Sequence, residues 1–182
     1  MTKEDVRVTE MDLVFFDTET TGLELSNELI EIGLVKVRRG TYEVVAEESI
    51  KIKPLHPERS NPEALRINGY TDAGWADAVD LKTGLTRFLT YTAGCMLVGH
   101  NLAFDWMHLK KSLEQCGLTA NYYYKGLDTF SLAWQQLRSD PKFKRFSLSE
   151  LAPHFGVNQG TAHRALDDAR TTYGIFIKLA EL

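Results

Sequence analysis

Hydrophobic and polar positions follow a strand-like pattern in the first part of the chain. Leu13–Phe16 is a continuous apolar run, which is typical of a strand buried on both faces in the middle of a sheet. Leu29–Val37 predicts a second strand, Arg39–Gly40 a hairpin turn, and Tyr42–Ile52 a third strand. Further along, the short apolar segment Met96–Gly99 predicts another buried strand.

Five later segments place apolar residues at the spacing of amphipathic helices. These helices are predicted to begin near Val79, near Phe104, after Asp128, after Ser147 and near Ala162. Ser147 and Glu150 fit a capping box, and the proline-marked stretch Pro54–Pro62 predicts a loop. Hairpin-connected strands followed by strands alternating with helices indicate an α/β fold, with a mixed sheet flanked by helices.

The composition is that of a globular protein, with 43% hydrophobic and 25% charged residues. We expect residues 1–182 to form one domain, with a core of about 11–180. No stretch approaches the ~20 apolar residues of a membrane span, so no membrane partner is expected. Met1–Glu10 is polar and lacks a signal-peptide core, which predicts a cytoplasmic protein. Cys95 and Cys116 have no metal-ligand or redox spacing and are expected to be reduced thiols.

Two carboxylates stand at the end of the first predicted strand. Side chains alternate along a strand, so Asp17 and Glu19 project from one face and Thr18 from the other. Neighbouring carboxylates raise each other's pKa unless a cation lies between them. Taken alone, the fragment is equally compatible with a solvated strand end, since short acidic motifs often match by chance.

Further acidic residues follow later in the chain. Asp105 lies just after the Met96–Gly99 strand, and ligands of open α/β sheets bind at the carboxyl ends of such strands. His163 and Asp168 are five residues apart, which is about 140° on a helix. Both can face one site only if His163 lies at or before the helix start. Periodicity does not choose between Asp167 and Asp168.

Three motifs occur in a fixed order: Asp17–Gly22, His100–Asp105 and His163–Ala169. Together they resemble the DEDDh exonuclease family, most closely the proofreading exonuclease subunits of bacterial replicative polymerases. Secondary signatures are Ile67–Asp72, Asp128–Thr129 and Leu148–Gly156, and the likeness extends over about Leu13–Phe176. The resemblance implies a ribonuclease H-like mixed five-stranded sheet flanked by helices. It also implies two bound divalent metal ions, Mg²⁺ or Mn²⁺, and 3′→5′ hydrolysis that releases nucleoside 5′-monophosphates.

The resemblance also implies individual roles. Asp17 would bridge both ions, Glu19 would bind one of them, Asp168 would be a direct ligand, and Asp105 would bind through water. His163 would be the general base, since a histidine can exchange protons near neutral pH. Alone, His163 fits an ordinary surface residue better; beside Asp168 the balance reverses. Asp167 would then be a solvated or supporting acid.

Four residues are expected to contact the substrate. By resemblance, Thr20 and Leu23 cradle the 3′-terminal nucleotide, Asn101 contacts it, and Phe104 packs beside its base. A core position is an equally good interpretation of Phe104. His100 is expected to shape the site and not to act in it. The remaining histidines are expected on the surface or in loops: His56, His108 and His154.

Two basic and aromatic stretches could guide the strand. Lys142–Phe146 combines charges for phosphates with rings for stacking, and a solvated loop anchored by those rings fits equally well. For Tyr122–Lys125 we favour core-anchored rings. The formal net charge of −4 neither supports nor excludes nucleic acid, because metal ions above carboxylates reverse the local field.

The favoured substrate is a single-stranded DNA 3′ end, and RNA is the alternative, since no residue can be shown to read a 2′-hydroxyl. A nonhydrolytic nucleic-acid-binding subunit is less favoured, because every acidic position and His163 are present. A dinucleotide-binding protein would need a Gly-x-Gly-x-x-Gly segment after a strand, which the chain lacks. A DNA polymerase is a candidate partner. No segment after the last predicted helix would tether one, so any contact would involve the domain surface, and a stand-alone repair or processing nuclease is an equally good interpretation. The oligomeric state is left open.

Overall fold

The computed structural model describes residues 7–181 and contains a five-stranded mixed sheet in the order β3-β2-β1-β4-β5. Its strands are β1 Leu13–Thr20, β2 Leu29–Val37, β3 Val44–Lys51, β4 Met96–Gly99 and β5 Gly126–Asp128. Its α-helices are α1 Pro62–Ile67, α2 Leu81–Thr92, α3 Leu102–Gln115, α4 Thr129–Leu137, α5 Leu148–Phe155 and α6 Ala165–Ala180. Short 3₁₀ turns span Val8–Glu10 and Pro57–Arg59. Most of the N-terminal stretch that bears on secretion, Met1–Val6, lies outside the described residues.

The apolar run of β1 makes it the central strand, as predicted. It pairs antiparallel with β2 and parallel with β4. Val14 and Phe16 face one side, where α2 and α3 cover them, and Phe15 faces α6 on the other. The ring of Phe176 in α6 packs edge-on against Phe15, with centroids 5.2 Å apart. Both faces of the sheet are therefore covered by helices, which confirms the predicted fold class.

Two elements escaped prediction. β5 is only three half-buried residues long, too short for a periodic pattern, and it pairs parallel with β4. α1 begins at the end of the predicted proline loop, because Pro62 occupies its first turn and Asn61 caps it. The Asn61 side chain accepts hydrogen bonds from the backbone N–H groups of Glu63 and Ala64. A proline that was interpreted as a loop marker is thus a helix-start signal.

The predicted capping box of α5 is wrong in detail. The helix starts where expected, but the Ser147 side chain makes no capping hydrogen bond. Glu150 instead accepts hydrogen bonds from the backbone N–H groups of Lys144, Arg145 and Phe146. The carboxylate therefore holds the loop before the helix.

The expectation that His108 lies on the surface is also wrong. Its side chain is fully buried in α3, with its ring 4.7 Å from that of Phe104. Neither ring nitrogen has a hydrogen-bond partner among residues 7–181. Burial, and to a smaller extent the charge of Lys111, lowers the pKa of His108 to about 4. The ring is therefore neutral.

Two negative expectations concern cysteines and membranes. Cys95 and Cys116 are free thiols, Cys95 buried and Cys116 partly so, which agrees with the predicted absence of a disulfide. Among the described residues, no helix is long and apolar enough to cross a bilayer.

Candidate active site

The carboxyl ends of β1 and β4 and the beginning of α6 meet at one edge of the sheet. A cleft of about 350 Å³ opens there. It is lined by every residue predicted to bind metal or substrate, to act as the base or to shape the site, namely Asp17, Glu19, Thr20, Leu23, His100, Asn101, Phe104, Asp105, His163 and Asp168. The structure thus brings together residues up to 151 positions apart in sequence, from Asp17 to Asp168.

A glycine lets α6 approach this edge. Gly33 of β2 pairs with Asp17, and the first turn of α6 lies directly over it. A Cβ atom on Gly33 would fall 2.0 Å from the carbonyl carbon of Ala165. Only glycine permits that approach, which places Asp168 beside the end of β1.

Asp105 reaches the site from the opposite face of the sheet. It lies in the first turn of α3, and its Oδ1 accepts hydrogen bonds from the Thr18 backbone N–H (2.8 Å) and hydroxyl (2.6 Å). Thr18 projects from β1 towards α3, as strand alternation predicts. One threonine thus orients the Asp105 carboxylate.

His163 and Asp168 are held together by the chain itself. His163 is exposed and lies just before α6 with φ 59°, so both residues can face the cleft as anticipated. The backbone N–H of His163 donates to Oδ2 of Asp168 at 2.8 Å, while Oδ1 of Asp168 is buried and has no hydrogen-bond partner within residues 7–181. Ligand atoms of Glu19, His163 and Asp168 all lie within 4.8 Å of one another.

Burial and mutual repulsion raise the pKa values of the two β1 carboxylates. The pKa of Asp17 is raised well above its usual value, first by burial and then by the charges of Asp105, Glu19 and Asp168. Burial raises the pKa of Glu19 to about 8, and the charges of Asp168 and Glu31 add to the effect. Arg164 opposes that rise. Without a cation Glu19 would hold a proton near neutral pH.

The two helix carboxylates are perturbed in the same direction. Burial raises the pKa of Asp105 to about 7, although the hydrogen bonds from Thr18 lower it. Burial raises the pKa of Asp168 to about 6, against the hydrogen bond from the His163 backbone. Four closely spaced carboxylates, one with an unpartnered buried oxygen, form a donor set that fits hard divalent cations.

The predicted substrate residues line the cleft in different ways. Leu23 is 83% exposed at the rim, and Phe104 is half-buried. Asn101 is exposed with φ 62°, and its backbone N–H donates to Asp128. Thr20 is buried and lines the cleft, and its hydroxyl donates its hydrogen to the Gly22 carbonyl oxygen. That hydrogen is therefore already used within the protein.

His100 joins two elements. Its Nδ1 lies 3.0 Å from the Thr129 hydroxyl at the start of α4. Burial lowers the pKa of His100, against the charge of Asp128 and a hydrogen bond to the Phe146 backbone, which raise it. These contacts agree with the structural role that the sequence favoured, which stays a prediction.

Sequence reasoning missed one wall of the cleft. That wall is formed by α1 and its flanks, through Asn61, Glu63, Ala64, Ile67 and Asn68. Asn68 is buried and its side chain donates to the backbone oxygen of Thr20 at 3.1 Å. The signal was present in the Ile67–Asp72 signature, to which no role was given.

A fifth acid beside the cluster was also missed. Glu31 pairs with Glu19 across β1 and β2 and is 3% exposed. Its Oε1 accepts a hydrogen bond from the Ser49 hydroxyl, and its Oε2 is buried with no hydrogen-bond partner in the described part of the chain. A charged residue between two buried isoleucines of β2, Ile30 and Ile32, was the available signal.

Asp167 points away from this cluster. Its carboxylate accepts hydrogen bonds from the Thr161 backbone and from Arg170. The supporting role expected for it agrees with these contacts.

The aromatic rings of the two basic stretches are anchored in the interior, except that of Tyr124, for which the expectation of a core-anchored ring is wrong. Phe143 and Phe146 are buried and stacked with centroids 5.3 Å apart, so they cannot stack on bases. Tyr122 and Tyr123 pack against the cores on the two faces of the sheet, as favoured, while Tyr124 is 65% exposed.

Comparisons with known proteins agree with the motifs. Residues 14–176 match the family model described as Exonuclease. The chain is 34% identical to the DNA polymerase III PolC-type of Caldanaerobacter subterraneus subsp. tengcongensis over 94% of its length. It is also 34% identical to the 3′-5′ exonuclease DinG of Staphylococcus saprophyticus over 88% of its length. It spans only 12% and 17% of those proteins.

Solved structures show the same fold. E. coli exonuclease I in complex with a dT13 oligonucleotide has a TM-score of 0.78 and 19% identity. The match covers 94% of this chain and 41% of that one. The family model and the sequence relatives confirm the resemblance that the motifs indicated, and the chain belongs to the exonuclease family.

Proposed function

We propose that this chain is a 3′→5′ exonuclease that hydrolyses the terminal phosphodiester of single-stranded DNA and releases nucleoside 5′-monophosphates. The observation that carries the proposal is the convergence of four carboxylates and an exposed histidine in one open cleft. Family membership supports hydrolysis, and relatives named 3′-5′ exonuclease support its direction.

The donor set supports two Mg²⁺ or Mn²⁺ ions. We assign Asp17 as the shared ligand, Glu19 and Asp168 as direct ligands, and Asp105 as a ligand through water. When bound, such ions polarise the phosphodiester, favour deprotonation of water and stabilise the charge on the leaving oxygen. Oδ1 of Asp168 accepts no hydrogen bond of good geometry from residues 7–181, whereas Thr18 occupies one oxygen of Asp105.

His163 is assigned as the general base. Its backbone is fixed by Asp168, and its exposed ring can take a proton from water at the mouth of the cleft. The competing role is that of a metal ligand, because Glu19, His163 and Asp168 have ligand atoms within 4.8 Å.

The terminal nucleotide would lie between the two walls of the cleft. Leu23 presents an apolar surface to the base, and the half-buried Phe104 offers a ring on the other side. Asn101 projects a polar side chain beside them, and Thr20 forms part of the floor.

DNA is proposed over RNA because relatives carry DNA polymerase names and a structural neighbour holds a dT13 oligonucleotide. The test is digestion of matched 5′-labelled single-stranded DNA and RNA with Mg²⁺, Mn²⁺ or EDTA, resolved at single-nucleotide spacing. A metal-dependent ladder that shortens from the 3′ end of DNA is expected. Faster loss of RNA would assign RNA processing, and no cleavage by folded, metal-binding protein would assign a nonhydrolytic subunit.

A second candidate function, proofreading beside a DNA polymerase, is supported by the PolC-type relatives. The test compares primers with a paired or a mismatched 3′ end. Preferential removal of the mismatched nucleotide, increased when the host replicative polymerase is added, would support it. Equal removal with and without polymerase would assign a stand-alone nuclease.

A further inference from the structure

We propose that an exposed face of α4 binds the nucleotides upstream of the one held in the cleft. This α4 face consists of Phe130, Trp134 and Arg138. The proposal rests on the proposed function, because it extends the path of the same single strand.

The three residues lie at positions i, i+4 and i+8, which places them along one side of α4. Phe130 is 37% exposed and Trp134 50%. The other side of the helix is buried: Ala133 packs in the core with Leu151 of α5. Two large rings thus face solvent about 6 Å apart along the helix axis.

The α4 face is continuous with the cleft. β4 and β5 are parallel, so α4 begins at the same sheet edge as the carboxylates and runs away from it. His100 lines the cleft, and its ring centroid is 6.3 Å from that of Phe130. A strand leaving the cleft past His100 would meet Phe130 first and Trp134 next.

Positive charge accompanies the rings. The Arg138 guanidinium stacks 5.3 Å from the Trp134 ring. Lys142, Lys144 and Arg145 follow in the next loop and are all exposed. Lys142 is paired with Asp140 at 3.0 Å, and Glu150 accepts hydrogen bonds from the backbone of Lys144 and Arg145. Asp128 caps the start of α4. Four cations therefore face three carboxylates, which leaves a small local excess of positive charge on a protein whose net charge is −4. Rings for stacking and cations for phosphates are the elements of sequence-tolerant single-strand binding.

A larger cavity of about 760 Å³ lies at the opposite sheet edge, near Met11, Gly94 and Tyr124. It is remote from the carboxylates, since Met11 precedes β1 and Gly94 precedes β4. Tyr124 is the most exposed of its aromatic residues and supplies a matched control for loss of an exposed ring.

The test measures binding of fluorescent dT2 and dT10 by anisotropy in Ca²⁺, which avoids any need for turnover. We compare Phe130→Ala/Trp134→Ala, Trp134→Ala alone and Tyr124→Ala, each checked by thermal melting. Each ring that is removed should weaken the binding of dT10 at least about fivefold, which corresponds to the lower end of the usual stacking energy of one base on one aromatic ring. The affinity of the double variant for dT2 should be unchanged. The affinity of Tyr124→Ala for dT10 should also be unchanged. Arg138→Gln should flatten the salt dependence of dT10 binding.

Unchanged dT10 affinity in the folded variants would overturn the proposal and leave the α4 face to a protein partner. An equal loss for dT2 and dT10 would also overturn it, since the effect would then act through the cleft. Replacing Phe130 removes a ring that packs against Phe146 and could alter the fold locally. The single variant Trp134→Ala leaves that contact in place and therefore serves as the control for it. Hydrolysis is measured separately in Mg²⁺: an inactive protein that binds dT10 through α4 would refute the nuclease and retain this surface.

Discussion

At the scale of single residues, the site is dominated by the cost of placing carboxylates close together away from water. The pKa of Glu19 rises to about 8 and that of Asp105 to about 7, chiefly through burial. This arrangement of carboxylates destabilises the metal-free protein and favours cation binding, because each bound cation reduces the repulsion between several carboxylates at once. Asp17 experiences most of these repulsions at once.

Asp17→Asn should therefore have opposite effects on stability and function. Removing the charge should raise the melting temperature in EDTA by a few degrees, while hydrolysis falls at least about 10³-fold through loss of the shared ligand. Melting in EDTA and in Mg²⁺, together with steady-state rates, measures both. Asp167→Asn is the control, since it lies outside the cluster, and normal turnover by Asp17→Asn would refute the ligand assignment.

The role of His163 can be separated from that of a ligand. His163→Gly keeps the positive φ accessible and should lower the catalytic rate by about 10²–10⁴-fold while Mn²⁺ affinity stays within a few-fold. Isothermal titration with Mn²⁺ and single-turnover hydrolysis report the two effects. A parallel loss of Mn²⁺ affinity would instead make the imidazole a ligand.

At the scale of elements, the decisive contact is that of α6 with β2. The helix start crosses Gly33, and the same turn carries Asp168 and follows His163. α3 covers the opposite face and delivers Asp105 onto Thr18. Two helices on opposite faces thus converge on one strand end.

Gly33→Ala should displace the start of α6. The added methyl overlaps backbone atoms that cannot rotate away, so we expect a loss of about 1–3 kcal/mol in unfolding free energy and weaker Mn²⁺ binding. Urea denaturation and Mn²⁺ titration measure the two. Gly174→Ala is the control, because the three atoms nearest to its Cβ would belong to the Val157 side chain, which can move. Full metal affinity in folded Gly33→Ala would show that Asp168 does not depend on this contact.

At the scale of the whole molecule, the order and direction of the strands determine which edge of the sheet carries the cleft. β1 lies between the antiparallel β2 and the parallel β4, so the carboxyl ends of β1, β4 and β5 coincide. The cleft, the carboxylates proposed as metal ligands and the start of the α4 face all lie there, and the larger cavity lies at the other edge. The assignment of residues 1–182 to a single domain stays a prediction.

Stability of the whole molecule should depend on pH in a direction set by these carboxylates. Glu19, Asp105 and Asp168 have folded pKa values of about 8, 7 and 6, above those of unfolded acids, near 4. The folded state therefore binds more protons, so metal-free stability should fall as the pH rises from about 4 to about 8. Melting across that range in EDTA measures it. Mg²⁺ should reverse the trend by competing with protons, and a metal-free stability that rises with pH would contradict the raised values.

The sequence by itself determined the central strand, most helices and the identity of the acidic motifs, because apolar periodicity and local spacing are properties of neighbouring residues. His163 and Asp168 would lie about 140° apart on one helix, and from this angle the sequence analysis inferred that both can face one site only if His163 lies at or before the helix start. Only the tertiary structure decided what lies across the fold: the β5 pairing, the α1 wall, the burial of His108 and Glu31, and the interior packing of Phe143 and Phe146. Burial and repulsion depend on distances between segments far apart in the chain, and no local pattern encodes those distances.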